Sequence, residues 1–358
     1  MNAPFRPQTA SVRICDLSSP NERARIESLV AGHSDGTAFH RPAWIRAVAV
    51  ATGNRALALI AERDGELCGH LPLVDIRSLL FGRAMVSSGF AVGGGILASD
   101  RTVSESLFAA VEDLALEEGA PSIELRGGVL PLDRKGWTVR KDAHCGFVRS
   151  LADDDEAQLT AIPRKQRAEV RKGLASDLTV TIGSGVVDRS AHYAVYAESV
   201  RNLGTPVFPK RLFNEVLDSF GTNADILTVW SGPAPVASVL SLYHQGAVMP
   251  YWGGGTRMAR SLRANDRMYF ELMLHARRRG CDRFDFGRSK TGSGAYDFKR
   301  NWGFEAQPLS YAVWTVPGGE PRNTDPTSDA HGAKIELWKR LPLSIANLVG
   351  PWIARGLG

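Results

Sequence analysis

The densest concentration of chemically capable side chains in this 358-residue sequence lies between Phe284 and Glu305, FDFGRSKTGSGAYDFKRNWGFE. It starts as an alternating strand, Phe284-Asp285-Phe286, and bends through a Gly/Ser-rich turn. It then reaches Tyr296-Asp297-Phe298-Lys299-Arg300-Asn301-Trp302. Four glycines within it let the backbone turn sharply. Acyl transfer to an amine needs a route for the amine proton and a group that stabilises the oxyanion. A carboxylate or water can serve the first need and a lysine the second. Asp285, Arg288, Lys290, Asp297 and Lys299 supply such groups here. Two readings follow: a strand, a loop and a second strand with a solvated charged face, or an anion-handling site at a strand end.

Three further stretches could take part. If Arg164 to Lys172 is helical, Arg164, Arg167 and Arg171 fall at i, i+3 and i+7 on one face. Three guanidinium groups so placed can hold phosphate through paired hydrogen bonds; a solvated basic face is the plainer alternative. Ser199 to Lys210 sets polar and aromatic groups, Asn202 among them, against two prolines, as a rigid loop beside a site does. Tyr251 and Trp252 precede Gly253-Gly254-Gly255, and a glycine-rich turn leading into a helix can bind anions through backbone N–H groups. With Phe298 beside Lys299, these are the candidates for substrate contact.

Composition bounds the class. With 44% hydrophobic and 23% charged residues the chain can build an ordinary soluble core, and its length suggests two domains. A net charge of +5 favours anionic partners. Cys15, Cys68, Cys145 and Cys281 are scattered without metal-ligand spacing, so reduced thiols and a cytoplasmic location are expected. The first twenty residues read as a loose leader followed by a short strand near Ser11 to Leu17 and have no apolar core, so no signal peptide is expected. G-x-S-x-G and HExxH are absent, which argues against Ser/His hydrolysis and zinc chemistry. From Trp338 onward apolar residues recur at helical spacing beside Lys339, Arg340 and Arg355, interrupted by Pro342 and Pro351. That tail suits either a membrane interface or docking on the protein body.

The elements that must position these groups repeat. In the first half the pattern predicts a hairpin over 56–76, a strand over 81–90, a helix over 104–118 and a strand at SIELR, 122–126. The second half predicts strands over 225–230, 236–243 and 248–252, a helix over 265–279 and a strand over 283–286. GFAVGGG (89–95) aligns with MPYWGGG (249–255) and EEGAPSIELRGG (117–128) with RRGCDRFDFGRS (278–289), at offsets of 160 and 161 residues. An internally duplicated α/β unit follows, with mixed sheets covered by helices. The expected boundaries are 1–155, 156–316 and a polar loop plus amphipathic tail over 317–358.

The sequence resembles the FemAB-like family over nearly its whole length, and within it the subgroup associated with PEP-CTERM/exosortase exopolysaccharide loci. The carriers are FHRPAW (39–44), IPRKQRAEVRKG (162–173), SVRNLGTPVFPKRLF (199–213), PYWGGG (250–255), ANDRMYFELM (264–273), FDFGRSKTGSGAYDFKRNWGFEAQPL (284–309) and WKRLPLSIAN (338–347). The resemblance implies an α/β (α+β) fold of two tandem GNAT-like domains, each a mixed twisted sheet flanked by helices. It implies an N-acyl or aminoacyl transferase forming an amide on a cell-envelope precursor, drawing on acyl-CoA or aminoacyl-tRNA as donor with no tightly bound cofactor. Phe298-Lys299 corresponds to the family's Phe-Lys step, whose lysine is thought to contact substrate phosphate and support the transition state; Asp285 would orient it or relay a proton. The acceptor would be an anionic or lipid-linked glycan handled in the cytoplasm or at the inner membrane surface. No heptad pattern supplies the coiled-coil arm that some relatives use for tRNA. An acyl-CoA-dependent enzyme acting on a lipid amine is therefore the alternative, and a non-catalytic partner in exopolysaccharide export is a third reading.

Overall fold

The structure, a computed structural model, describes residues 10–320, 322 and 332–358. The leader before Ala10 and most of the polar loop after Pro317 lie outside the described residues. The chain divides into two compact units, one of residues 1–140, 310–323 and 356–358, the other of 141–309 and 324–355.

The first unit opens with β1 (Ser11–Ile14), α1 (Pro20–Gly32) and α2 (Pro42–Thr52). Ser19 caps α1 by accepting the Glu22 N–H, and Pro42 occupies the first turn of α2, where its missing N–H is harmless. The hairpin of β2 (Arg55–Arg63) and β3 (Glu66–Ser78) turns on Asp64 and Gly65, both at positive φ. β4 (Gly82–Ser87), β5 (Leu97–Ala98), α3 (Arg101–Glu117) and β6 (Ser122–Arg126) follow. β1 to β4 are antiparallel neighbours, and β6 joins β4 in parallel through Met85–Ile123 and Val86–Glu124 alone. α3 buries Val103, Leu107, Val111, Leu114 and Ala115 along one stripe on the sheet.

β7 (Trp137–Gly146) leads into the second unit: β8 (Val148–Ser150), α4 (Asp155–Ala161), α5 (Arg164–Ala175), β9 (Thr179–Gly183), α6 (Val186–Leu203) and α7 (Lys210–Phe220). Then come β10 (Ala224–Ser231), β11 (Ala234–His244), β12 (Ala247–Gly255), α8 (Arg257–Leu262), α9 (Ala264–Arg278), β13 (Arg283–Asp285), β14 (Ser289–Lys290) and α10 (Gly294–Asn301). β15 (Gln307–Thr315) returns towards the first unit, and α11 (Gly332–Arg340) and α12 (Leu343–Ala354) end the second. Here β9 to β12 are antiparallel neighbours, and β13 joins β12 in parallel through Ala247–Arg283 and Val248–Phe284. The expected duplication is therefore a shared topology: four antiparallel strands, a helical crossover, and a fifth strand held by two residue pairs.

The sixth strands explain why the expected boundaries at 155 and 316 are displaced. β15 pairs with β6 and extends the first unit's sheet, although it follows the second unit in the chain. β8 pairs with β13 and completes the second, although it directly follows the first. The tail is likewise no separate body: residues 324–355 belong to the second unit and 356–358 to the first.

Buried charge is rare and paired. The Asp75 side chain has no exposure and accepts from Arg83 Nε and Nη2 at 2.9 Å, with Arg77 as a second partner. Burial alone would raise the Asp75 carboxyl, but the two arginines outweigh it and hold the group below 3.8. This stabilisation is present above that value and lost as pH falls through the lowered one. Arg83→Met leaves a buried carboxylate short of its main partner. Chemical denaturation at neutral pH is expected to show a loss of about 3 kcal/mol, shrinking on acidification as Asp75 protonates.

Candidate active site

The second unit's sheet opens where β12 and β13 stop pairing. Beyond Val248 and Phe284 the two parallel strands part, and among the described residues no strand pairs with the edge of β12 from Met249 to Gly255 on that side. A bulge helps them diverge. Leu240 pairs with Trp252 but Ser241 with Pro250, so Tyr251 is the extra residue that bends β12. Parallel strand ends that part leave backbone donors and acceptors on which an extended ligand can pair, and this gap is the candidate cleft.

The cleft's glycines serve close packing. Gly253, Gly254 and Gly255 are the last residues of β12 rather than a loop around an anion. A Cβ on Gly254 would lie 2.3 Å from Ser199 Oγ on α6, and one on Gly255 would lie 2.6 Å from Asn265 Oδ1 on α9. The other triplet, 93–95, lies in a loop of the first unit, where a Cβ on Gly95 would meet the Gly127 carbonyl at 1.9 Å. The anion-loop reading of the triplets is thus corrected. Buried polar atoms without partners do gather about the end of β12: Thr256 Oγ1, Asn265 Oδ1 and, one turn beyond Ser199 on α6, Asn202 Oδ1. Such atoms mark where a ligand's donors can be satisfied. Of these, only Asn202 is legible as a candidate from sequence; Thr256 and Asn265 are single polar residues at element ends.

On the far side of the cleft the charged stretch folds differently from the strand–loop–strand expectation. Residues 294–301 form the helix α10, because Ser293 caps it by accepting the Tyr296 N–H. Lys299 therefore points inward and is only 9% exposed. Its ammonium donates to the carbonyls of Gly287 (3.1 Å) and Arg288 (2.9 Å) and lies 5.3 and 5.6 Å from the ring centres of Phe147 and Phe286. Burial is the main reason that its pKa falls to about 8, with Asp285 opposing and Arg288 assisting the shift. Two of its three protons are engaged by carbonyls, which leaves one donor.

Asp285 acts on the same turn. Its carboxylate accepts the Gly287 N–H at 2.9 Å, the chain reversing at Gly287 with φ +68°. Its carboxyl is raised by burial, against the pull of that hydrogen bond and of Lys299. The expected direct orientation of Lys299 by Asp285 is corrected: both hold the 285–288 turn, one from the strand and one from α10. Arg288 is half-buried within this turn, and Lys290 lies on β14, paired with His144 of β7.

The remaining candidates divide. Phe298 joins Tyr269, Phe286 and Trp302 in an aromatic cluster with ring centres 4.7–6.4 Å apart. Trp252 is buried against Phe213 (4.9 Å) and Phe208, so it is a packing residue and not an open substrate contact. Tyr251 is half-buried at the bulge. α5 is helical as expected, docked on α9 through Gln166, which donates to Asp266 at 2.5 Å. Arg164 and Arg171 are exposed and Arg167 half-buried; none of the three makes an ion pair among the described residues, whereas Glu169 pairs with Lys172 and Arg263. His70 and His192 are core groups, pushed by burial to about 4 and about 3 and neutral at physiological pH. Among the described residues no cluster of metal-ligating side chains occurs.

Residues 162–300, which hold α5, the cleft and Lys299, match the model of the acetyltransferase (GNAT) domain, so the chain carries an acyltransferase domain. No curated protein matches the chain. Among solved structures it is similar to FemX, with a TM-score of 0.65 at 14% identity, covering 80% of this chain and 95% of that one. It is also similar to L-PGS from Bacillus licheniformis, with a TM-score of 0.54 at 13% identity and coverages of 94% and 96%. A tandem GNAT protein from the clavulanic acid biosynthesis pathway gives 0.54 at 10% identity, with coverages of 87% and 99%. At these identities the likeness is one of fold: two mixed α/β sheets in a tandem GNAT arrangement.

The packing at the cleft edge is testable. Gly254→Ala is expected to lower stability by about 1–3 kcal/mol in denaturant unfolding. Combined with Ser199→Gly, it should destabilise by less than the sum of the two single changes. Simple additivity would show that the helix–strand approach does not set the requirement for glycine.

Proposed function

We propose that the chain is an N-acyl or aminoacyl transferase that forms an amide on an amine of a cell-envelope precursor, an exopolysaccharide or peptidoglycan-type glycan, on the cytoplasmic side of the membrane. The observation that carries this reading is the parting of β12 and β13 beside a turn held by a desolvated lysine. The donor's acyl arm lies along the open edge of β12. The acceptor amine attacks the acyl carbonyl, a C–N bond forms, the ester or thioester bond breaks, and the amine's proton leaves. The free donor of Lys299 stabilises the negative charge on the carbonyl oxygen or an adjoining phosphate. Asp285, whose raised pKa suits it to hold a proton, relays the one released to the departing oxygen or sulfur, which leaves as the alcohol or thiol. Arg164, Arg167 and Arg171 on α5, with Arg288, attract the phosphates of donor or acceptor.

A second reading, acyl-CoA-dependent transfer to a lipid amine, is favoured by the apolar side chains that α12 exposes. The two share the site and differ in substrates. Radiolabelled acyl-CoA and aminoacyl-tRNA, each offered with amine-bearing glycan and lipid acceptors, distinguish them by which label moves.

In that assay Lys299→Ala, with its fold checked by circular dichroism, is expected to reduce transfer by about 10²–10³-fold. Because the protonated lysine is the active form, wild-type kcat/KM should carry a limb that falls as pH rises through about 8, absent from the variant's residual activity. Undiminished transfer by Lys299→Ala would sink the assignment. Arg164→Ala/Arg167→Ala/Arg171→Ala should raise KM while kcat changes little, since these groups bind at a distance from the reacting atoms.

A further inference from the structure

The C-terminal helices present a feature that transferase chemistry does not use. α12 is twelve residues long without one charged side chain. Its small residues Ala346, Gly350 and Ala354 are buried, and a Cβ on Gly350 would lie 3.0 Å from the Val207 nitrogen, so this stripe sets the helix closely on the loop after α6. The large residues stand on the opposite face. Ile345, Leu348, Val349 and Trp352 follow at intervals of three and four and are 45%, 80%, 38% and 51% exposed; Leu337 on α11 adds a side chain 65% exposed. A helix on a water-facing surface turns its polar residues outward. Here the arrangement is inverted.

We propose that this face lies in the headgroup region of an anionic lipid bilayer, with α12 in the plane of the membrane. The charge around it selects this occupant. From Glu336 to Gly358 the sequence carries Lys339, Arg340 and Arg355 against one acidic residue, Glu336, which pairs with Lys339 at 2.6 Å, and Arg340 and Arg355 are exposed at the two ends of α12. Cations flanking an apolar helix face are drawn to acidic headgroups, and an exposed tryptophan favours the boundary between headgroups and acyl chains. A twofold contact with a second copy would instead set the same cationic rim against itself. Among the described residues no helix is long and apolar enough to cross a membrane, so the contact is with one surface.

The face is also tied to the cleft. α6 meets Gly254 of β12 at Ser199, and at its end Gly204 packs against Ile335 of α11. One rigid helix thus connects the edge of β12 to the lipid-facing pair, as access to a membrane-embedded acceptor would require. The inference concerns where the chain sits and stands independently of what it transfers.

Co-sedimentation of the full chain with vesicles tests it. The wild type is expected to pellet with phosphatidylcholine–phosphatidylglycerol vesicles, and much less with phosphatidylcholine alone or at high salt. Leu348→Glu/Trp352→Glu should lower binding more than about tenfold while the fold, checked by circular dichroism, is kept, since Leu348 is 80% and Trp352 51% exposed. Arg340→Glu/Arg355→Glu should abolish the preference for the anionic lipid. Failure of the wild type to pellet with anionic vesicles, or undiminished binding by Leu348→Glu/Trp352→Glu, would overturn the proposal. So would a wild-type dimer in gel filtration that Leu348→Glu/Trp352→Glu converts to monomer, because the occupant would then be a second copy.

Discussion

A single buried cation ties the site together. The Lys299 ammonium joins α10 to the turn after β13 by bonding two consecutive carbonyls inside a box of Phe147 and Phe286. Desolvating an ammonium is expensive, and two carbonyl bonds with two aromatic faces offset only part of it, which is why its proton affinity drops. The arrangement persists because the surroundings are overdetermined. Trp302 has no exposure, and Phe284, Phe286 and Phe304 form one aromatic core beneath the turn. Beside the lysine, the Asp285 carboxylate accepts the Gly287 N–H and tethers the same turn from β13.

The second constraint is the weak parallel pair. In both units the fifth strand meets the fourth through two residue pairs only, Met85–Ile123 and Val86–Glu124 in one, Ala247–Arg283 and Val248–Phe284 in the other. A parallel strand reached through a helical crossover need not stay in register along its length, and the sheet opens at that point. The first unit fills the corresponding region with its own groups. Arg126 donates to the Ala91 carbonyl, Ser88 to the Phe39 carbonyl, and Glu124 is bound by Arg126 and Arg322. The second unit instead leaves Thr256 Oγ1, Asn202 Oδ1 and Asn265 Oδ1 unpartnered at the end of β12. One duplicated topology thus carries a copy whose polar groups there are paired and a copy that leaves several without partners, and the latter coincides with the residues that match an acetyltransferase (GNAT) domain.

Much of this was legible in the sequence wherever period and punctuation agreed. The Asp64-Gly65 hairpin, α3, α9 and the arginine spacing of α5 all follow from such local rules, and the 160-residue offset revealed the repeated α/β unit. Legibility ended where distant segments decide. β8 is three residues long and has no pattern of its own; it is a strand because β13 needs an outer neighbour. α10 holds glycine and two aromatic residues that favour strands, and only the Ser293 cap betrays a helix. That change of element turned Lys299 from a surface charge into a buried one. The same limit applies to Trp252, whose sequence position beside the glycines suggested a ligand contact, whereas the alternation of β12 turns it onto Phe213. Of the tail's two readings, docking on the protein describes one face of α12, whereas its other face is exposed.

The central claim is that Lys299 is a desolvated cation held on the 287–288 carbonyls. The most direct measurement is an NMR titration of the lysine Cε signals in the full chain, with Lys299 assigned by its loss in Lys299→Met. The account predicts a transition near pH 8, well below the ordinary lysine value of 10.5. A Lys299 signal that titrates at 10.5 with the exposed lysines would contradict it.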